Sequence, residues 1–266
     1  MTVIGNLEKM RVQHTAPVLY SLPVGDESVA LNPLLGKKIT LRYTGDINCI
    51  HCGRKTNKSF QQGYCYPCMQ KLARCDLCIL KPELCHFHQG TCREPEWGRE
   101  HCMIQHIVYL AVSSGLKVGI TRHTQIPTRW IDQGAIAAVP IARVVSRYDA
   151  GRLEVALKAH FADKTNWRNM LKNTVDAIDL YEEKTRIRSV LTELLKDYPG
   201  AVLAETPICN FEYPVLQYPS KIKSLSFDKT PQVEGTLLGI KGQYLLLDTG
   251  VINIRNHSGY KITLES

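Results

Sequence analysis

Apolar and polar residues alternate with a period of two in short runs at both ends of the chain. Near the N-terminus VLYSL at 18–22 and KITLRY at 38–43 alternate, with LNPLLG at 31–36 between them as a turn. The C-terminal part has the same texture. Residues 233–240, 243–247, 251–254 and 260–264 read as strands separated by Lys241-Gly242, Asp248-Thr249-Gly250 and Ser258-Gly259. Short strands at close spacing with glycine turns predict a small barrel or sandwich. Neither end alone holds enough apolar surface for a comfortable core. The expectation is therefore that both ends pair into one small barrel-like β-module, with everything else inserted between them.

The middle of the chain has other periods. Residues 106–120 read as a hairpin: Ile107, Tyr109 and Ala111 face one side, and Val108, Leu110 and Val112 the other. Ser113-Ser114-Gly115 makes the turn and LKVGI at 116–120 returns. A basic loop, Thr121-Arg122-His123, leads to a helix-like stretch opened by Pro127-Thr128-Arg129-Trp130. Further on, Leu153, Leu157 and Phe161 share one helical face. Residues 169–198 read as one or two helices, with Leu171, Val175, Ile178, Val190, Leu191, Leu194 and Leu195 at near-helical spacing and Pro199-Gly200 as the stop. A looser stretch with Pro207, Pro214 and Pro219 leads back to the terminal strands. The predicted fold class is α+β. Its segments are a β segment at 1–48, a cysteine-rich segment at 49–104, an α/β domain at 105–168, a helical segment and linker at 169–219, and a second β segment at 220–266.

Nine of the ten cysteines fall between Cys49 and Cys102, the first six as three Cys-x-x-Cys pairs. Such a pair lets two thiolates reach one tetrahedral ion from a single turn, and two pairs complete a four-sulfur zinc site. Cys49, Cys52, Cys65 and Cys68 are assigned to one structural zinc, with Gly53 and Gly63 suited to the knuckle turns. Cys75 and Cys78 begin a second site, for which Cys85, His86, His88, Cys92, His101 and Cys102 are all able to complete the shell. Cys85 and Cys92 are favoured, because thiolates dominate closed structural sites. Four protein ligands leave no open position, so two structural Zn²⁺ ions are expected. The competing reading of these cysteines, a disulfide framework, suits secreted domains with small cores. This chain is long enough to bury a core without staples. Its first ten residues lack the charged-then-apolar order of a secretory signal, and no run approaches the roughly 18 apolar residues of a membrane span. A reducing, cytoplasmic setting without membrane contact is expected. Cys209, far from the cluster, reads as a buried small hydrophobe.

Composition adds little: 44% hydrophobic and 22% charged residues are those of a folded protein. The net charge of +8 suggests a polyanionic partner. Residues 49–130 hold eleven Lys/Arg against five Asp/Glu, but two zinc ions with eight thiolates would lower that balance from +6 to +2. Placement of the cations therefore matters more than their sum.

At Ile107-Val108-Tyr109, Lys117-Val118-Gly119, Arg129 and Glu154 the chain resembles the GIY-YIG superfamily of nuclease and nucleic-acid-binding domains, over about 60 residues. The resemblance implies a GIY-YIG-like domain at 105–168 that binds nucleic acid through Lys117, Arg122 and Arg129. It also implies Tyr109, Arg129 and Glu154 as the catalytic set, with Mg²⁺ at Glu154 if the site cleaves. The chemistry is coherent: a phenol to activate water, a carboxylate for a cation that keeps most of its waters, and a guanidinium on the phosphate. Lys117 stands where the nucleases usually place a tyrosine, and Ile120 where a lysine is common, which tilts the expectation towards binding. Each residue also has a purely structural reading: Tyr109 as a strand aromatic, Glu154 pairing with Lys158 one turn on, Arg129 stacked on a ring. Taken whole, the chain is also similar to a bacterial family of zinc-motif proteins of unknown function. The similarity is carried by Cys65-Tyr66-Pro67-Cys68, Cys75-Asp76-Leu77-Cys78, residues 90–98, 117–122, 129–134 and the run from Asp163 to Arg168. Two functional expectations follow: a nucleic-acid-binding protein, with metal-dependent endonuclease activity as its enzymatic form, or a non-enzymatic zinc adaptor for a protein partner.

Overall fold

The computed structural model describes residues 1–161 and 165–266. Asp163 and Lys164, at the start of the last similarity run, lie outside the described residues. The two ends of the chain form one sheet. Strand Lys38–Asn48 is flanked on one side by Tyr260–Glu265 and on the other by Gln232–Lys241, both antiparallel, with Leu41 opposite Leu264 and Val233. Beyond Tyr260–Glu265 lies Thr2–Asn6; beyond Gln232–Lys241 come Tyr244–Leu247, Gly250–Asn253 and the short Ser224–Leu225. The strand order is an open path, so among the described residues there is a sheet from both ends and no closed barrel. Its alternation buries Ile39, Leu41 and Ile47 on one face. A separate antiparallel trio, Arg11–Gln13, Leu19–Val24 and Glu27–Ala30, packs against the same core. Gly5 is required where the two meet, since a Cβ there would stand 2.4 Å from the Gly25 nitrogen.

The inserted domain has its own sheet. His106–Val112 is its middle strand, with hairpin partner Leu116–Arg122 at the edge and Ala137–Val144 on the other side. All seven residues of the middle strand are buried. Ile107, Tyr109 and Ala111 enter the core shared with the terminal β-module, while Val108, Leu110 and Val112 enter a second core under the helices. Helix Arg147–Leu157 covers that second face with Leu153 and Leu157, one turn apart and both fully buried. Its N-cap is Ser146, whose hydroxyl accepts from the Asp149 backbone N–H at 3.1 Å and donates to the Asp149 carboxylate at 2.7 Å. The helical stretch at 169–198 resolves into Trp167–Lys172 and Leu180–Leu195, the second capped by Asp179 and burying Ile187, Leu191 and Leu195. Cys209 is half-buried rather than buried; it pairs with Ala138 at the sheet edge and packs on the core. No helix is long and apolar enough to cross a membrane among the described residues.

Two outcomes follow. Removing residues 219–266 should strip Lys38–Asn48 of both neighbours and expose Ile39 and Leu41, so the truncated chain should aggregate in size-exclusion chromatography; a monomer with an unchanged melting curve would contradict the shared sheet. His106 supplies the second. It is fully buried, its Nδ1 lies 2.8 Å from the Ile104 carbonyl, and burial lowers its pKa to about 4. The unfolded chain, with a histidine pKa near 6.5, then binds the proton more readily than the native state. Stability is therefore retained above about pH 6.5 and lost as pH falls towards 4. Urea unfolding should show a loss of about 2 kcal/mol from pH 7 to pH 5 that His106→Phe removes.

Candidate functional site

The thiols of Cys49, Cys52, Cys65 and Cys68 come together: all four sulfurs lie within 4.8 Å of one another. Local geometry explains it. The Gly53 N–H donates to the Cys49 carbonyl at 2.9 Å and Gly53 takes a φ of 70°, which closes the first knuckle. In the second, Cys65 stands at the N-cap position of the short helix Tyr66–Lys71, whose first turn presents Cys68. A zinc ion with Zn–S bonds of about 2.3 Å sets its ligands about 3.8 Å apart, and the Cys52 and Cys65 sulfurs are 3.8 Å apart. Burial pushes the Cys49 thiol up, but the backbone N–H groups of Cys52, Cys65 and His51 outweigh it and bring the pKa down to about 6. Cys68 is pushed up, by burial first and then by its thiol neighbours. Four sulfurs this close do not all ionise without a cation between them. The donor set fits a structural zinc.

A cleft of about 730 Å³ opens where the cysteine-rich segment, the inserted domain and the terminal β-module meet. It brings together Tyr109, Lys117, Arg122, Arg129 and Glu154. The edge strand Leu116–Arg122 runs along it; the short helix Thr128–Asp132 presents Arg129, and Arg147–Leu157 brings Glu154. Gly119 faces Tyr109 across the hairpin, and a Cβ there would stand 2.6 Å from the phenol oxygen. The glycine is therefore what makes room for the ring.

Tyr109 is fully buried, edge-on to Trp130, and its hydroxyl donates to Gln133 Oε1 at 2.8 Å. Burial raises its pKa, Glu154 adds to the rise, and Arg129 opposes it. Glu154 is half-buried. Burial raises its pKa, while Lys158 one turn on, Lys117 on the strand and Arg147 pull it back. Arg129 is half-buried at the cleft.

Several cleft cations have no signal in local sequence. Lys9 and Arg255 come from the terminal β-module, and Arg74 from the cysteine-rich segment. Arg147, at the start of its helix, donates through Nη2 to the Ile79 carbonyl at 2.7 Å, and its Nε is buried without a partner among the described residues. Burial holds Arg147 and Arg255 below the usual arginine range, and Arg129 pushes both further down. Of the acids, Asp132 is engaged: it pairs with Lys9 at 2.9 Å and accepts from Gln243 at 2.8 Å. A second cavity of about 750 Å³ continues from the first and shares with it Lys9, Tyr64, Arg74, Arg129 and Arg255. Gln61 and Gln62 line this extension with φ of 44° and 66°, conformations that residues other than glycine rarely adopt.

An α+β chain with a four-thiol knuckle and a basic cleft is the class that fold and site define. Residues 36–262 match the model of a family described as a protein of unknown function, DUF2797, and the chain belongs to that family. No curated protein and no solved structure matches the chain.

Protein purified under reducing conditions should carry zinc at the Cys49–Cys52–Cys65–Cys68 knuckle. Those thiols should alkylate only after chelation, and Cys65→Ser should lose the ion and much of the solubility. Metal analysis and thiol mass spectrometry check this; disulfides among the four cysteines would overturn it.

Proposed function

We propose that this protein binds nucleic acid along the cleft, with the phosphate backbone lying against the arginines. The observation that supports this most is the convergence of Arg122, Arg129, Arg147 and Arg255 on one trough whose acids, among the described residues, are Glu154 and the already paired Asp132. Partly buried arginines that push one another's pKa down are stabilised by an anion. The trough continues into a second cavity through Arg129 and Arg255, which suits a polymer with several phosphates better than one small anion. The resemblance of the hairpin, Arg129 and Glu154 to the GIY-YIG pattern supports the same reading.

Two features favour binding over cleavage. Tyr109 donates its hydroxyl to Gln133 and has a raised pKa, so the phenolate that could take a proton from water is scarce. Glu154 sits among Lys117, Lys158 and Arg147, whose charges compete with a divalent cation for its carboxylate. A second reading, a zinc adaptor for a protein partner, draws on Leu77, Leu80 and Leu84 of the cysteine-rich segment, which are 54%, 74% and 49% exposed.

Binding to generic DNA and RNA oligonucleotides should weaken steeply with salt, by a log–log slope of roughly −0.7 to −0.9 per phosphate contacted. Arg129→Ala and Lys117→Ala should each cost about tenfold in affinity and flatten the slope by about one. Glu154→Gln should leave affinity unchanged or slightly higher. Mg²⁺-dependent cleavage that Glu154→Gln abolishes would instead establish the nuclease. Negligible affinity for both polymers at low salt would leave the adaptor.

A further inference from the structure

We infer a second thiolate metal site made of Cys78, Cys85, Cys92 and Cys102, with Cys75 outside it. These four cysteines line a small cavity of about 10 Å³, the size of a single water or ion. Cys78, Cys85 and Cys102 are buried and Cys92 is half-buried. Cys75 and Cys78 sit in separate, consecutive turns. Cys75 ends the turn Ala73–Cys75 and Cys78 belongs to the next turn, Leu77–Ile79, so the two leave the chain at different points. Cys75 is itself buried, but it does not line this cavity, and its carbonyl accepts from Gln61 of the first knuckle. The expected set of Cys75, Cys78, Cys85 and Cys92 thus exchanges Cys75 for Cys102.

Most of the other donors nearby have partners. His86 lines the cavity, yet its Nδ1 meets the Thr91 hydroxyl at 2.7 Å and its Nε2 meets the Asp76 carboxylate at 3.5 Å. Asp76, with Cys78 and His86 the tightest donor trio here, is held by Arg93 at 2.7 Å and caps the Cys78 N–H at 3.4 Å. His88 packs on Tyr148, and His101 stacks on Trp97 with its Nδ1 at the Trp97 carbonyl. What remains is four thiols, of which that of Cys92 donates to the Glu94 carbonyl at 3.5 Å and would turn from it to reach an ion. Helix Pro95–His101 leaves space for them at Gly98, where a Cβ would stand 3.2 Å from the Cys92 sulfur and 2.8 Å from the Phe87 ring. The sulfurs are less tightly gathered than in the first knuckle, and an ion in the cavity draws them together. Four sulfur ligands select zinc among the common divalent ions.

The site is read by metal content, independently of what the cleft binds. Wild-type protein should carry two zinc ions per chain by mass spectrometry of the metal. Cys102→Ser and Cys85→Ser should drop to one, Cys75→Ser should keep two, and Cys102→His should keep two because imidazole replaces a thiolate in tetrahedral sites. Should Cys102→Ser and Cys85→Ser fail to fold, folded Cys75→Ser still decides whether Cys75 is a ligand. Cobalt substitution adds a second readout: both sites in Cys75→Ser should show thiolate-to-metal charge transfer. One zinc in wild type, one zinc in folded Cys75→Ser, or two in folded Cys102→Ser would overturn the assignment.

Discussion

The cleft depends on one pairing, that of strand Lys38–Asn48 with strands from the far end of the chain. Thr236 opposite Lys38 and Glu265 opposite Thr40 close loops of roughly two hundred residues, and the entropy of such closure grows only slowly with loop length. The buried row of Ile39, Leu41, Val233, Ile262 and Leu264 is what holds those loops shut. At roughly 1.5–3 kcal/mol for each fully buried aliphatic side chain, that row outweighs a closure cost of a few kcal/mol. Once it forms, Lys9 and Arg255 are carried to the same wall, facing Arg129 of the inserted domain. A site assembled this way is cooperative: its charges cannot be brought together until the sheet is complete.

The opposite wall has a different origin. Between Cys49 and Cys102 the chain forms only short helical turns and one two-residue strand, and much of what it buries is sulfur. Such a segment has too little apolar core to hold a shape alone, so thiol clusters do that work. The segment is then fastened to the inserted domain at two points. Arg147 bonds the Ile79 carbonyl through its side chain and the Cys102 carbonyl through its backbone N–H. Gly151 admits Pro82 and Glu83 against the helix, where any Cβ would collide at 2.5 Å. The helix that carries Glu154 is thus positioned by the cysteine-rich segment as well as by its own sheet.

Features legible in the sequence were those written in short spacings. The hairpin followed from alternation, since Ile107, Tyr109 and Ala111 separate from Val108, Leu110 and Val112 by a period of two. The first knuckle followed from two Cys-x-x-Cys pairs, because a turn of that length leaves little freedom to the sulfurs. The strand Ala137–Val144 was hidden because it is buried along most of its length and reads as a plain apolar run. The barrel expectation went too far for a similar reason: alternation announces strands and a shared module but not whether the last edge closes on the first. Arg147, Lys9 and Arg255 had no local mark at all, since their role comes only from tertiary placement. The spacing of Cys75 and Cys78 says nothing of the turns they occupy: Asp76 begins a second turn between them.

The balance of charge inside the cleft decides what chemistry it can host. A phosphodiesterase of this kind needs a cation site with an excess of negative charge, so that Mg²⁺ is held against its own hydration. Here Glu154, which among the described residues is the cleft carboxylate without a short ion pair, has Lys117, Lys158 and Arg147 around it, and burial raises the pKa of the phenol beside it. A phosphate entering this trough meets positive charge from three walls, whereas a metal ion meets the same positive charge as repulsion. A phosphate that also bridged a metal to Glu154 would lower that repulsion, because its own negative charge would offset the lysines. In such a site the metal would have to arrive with the substrate, because the cleft's own charge favours an anion over a cation.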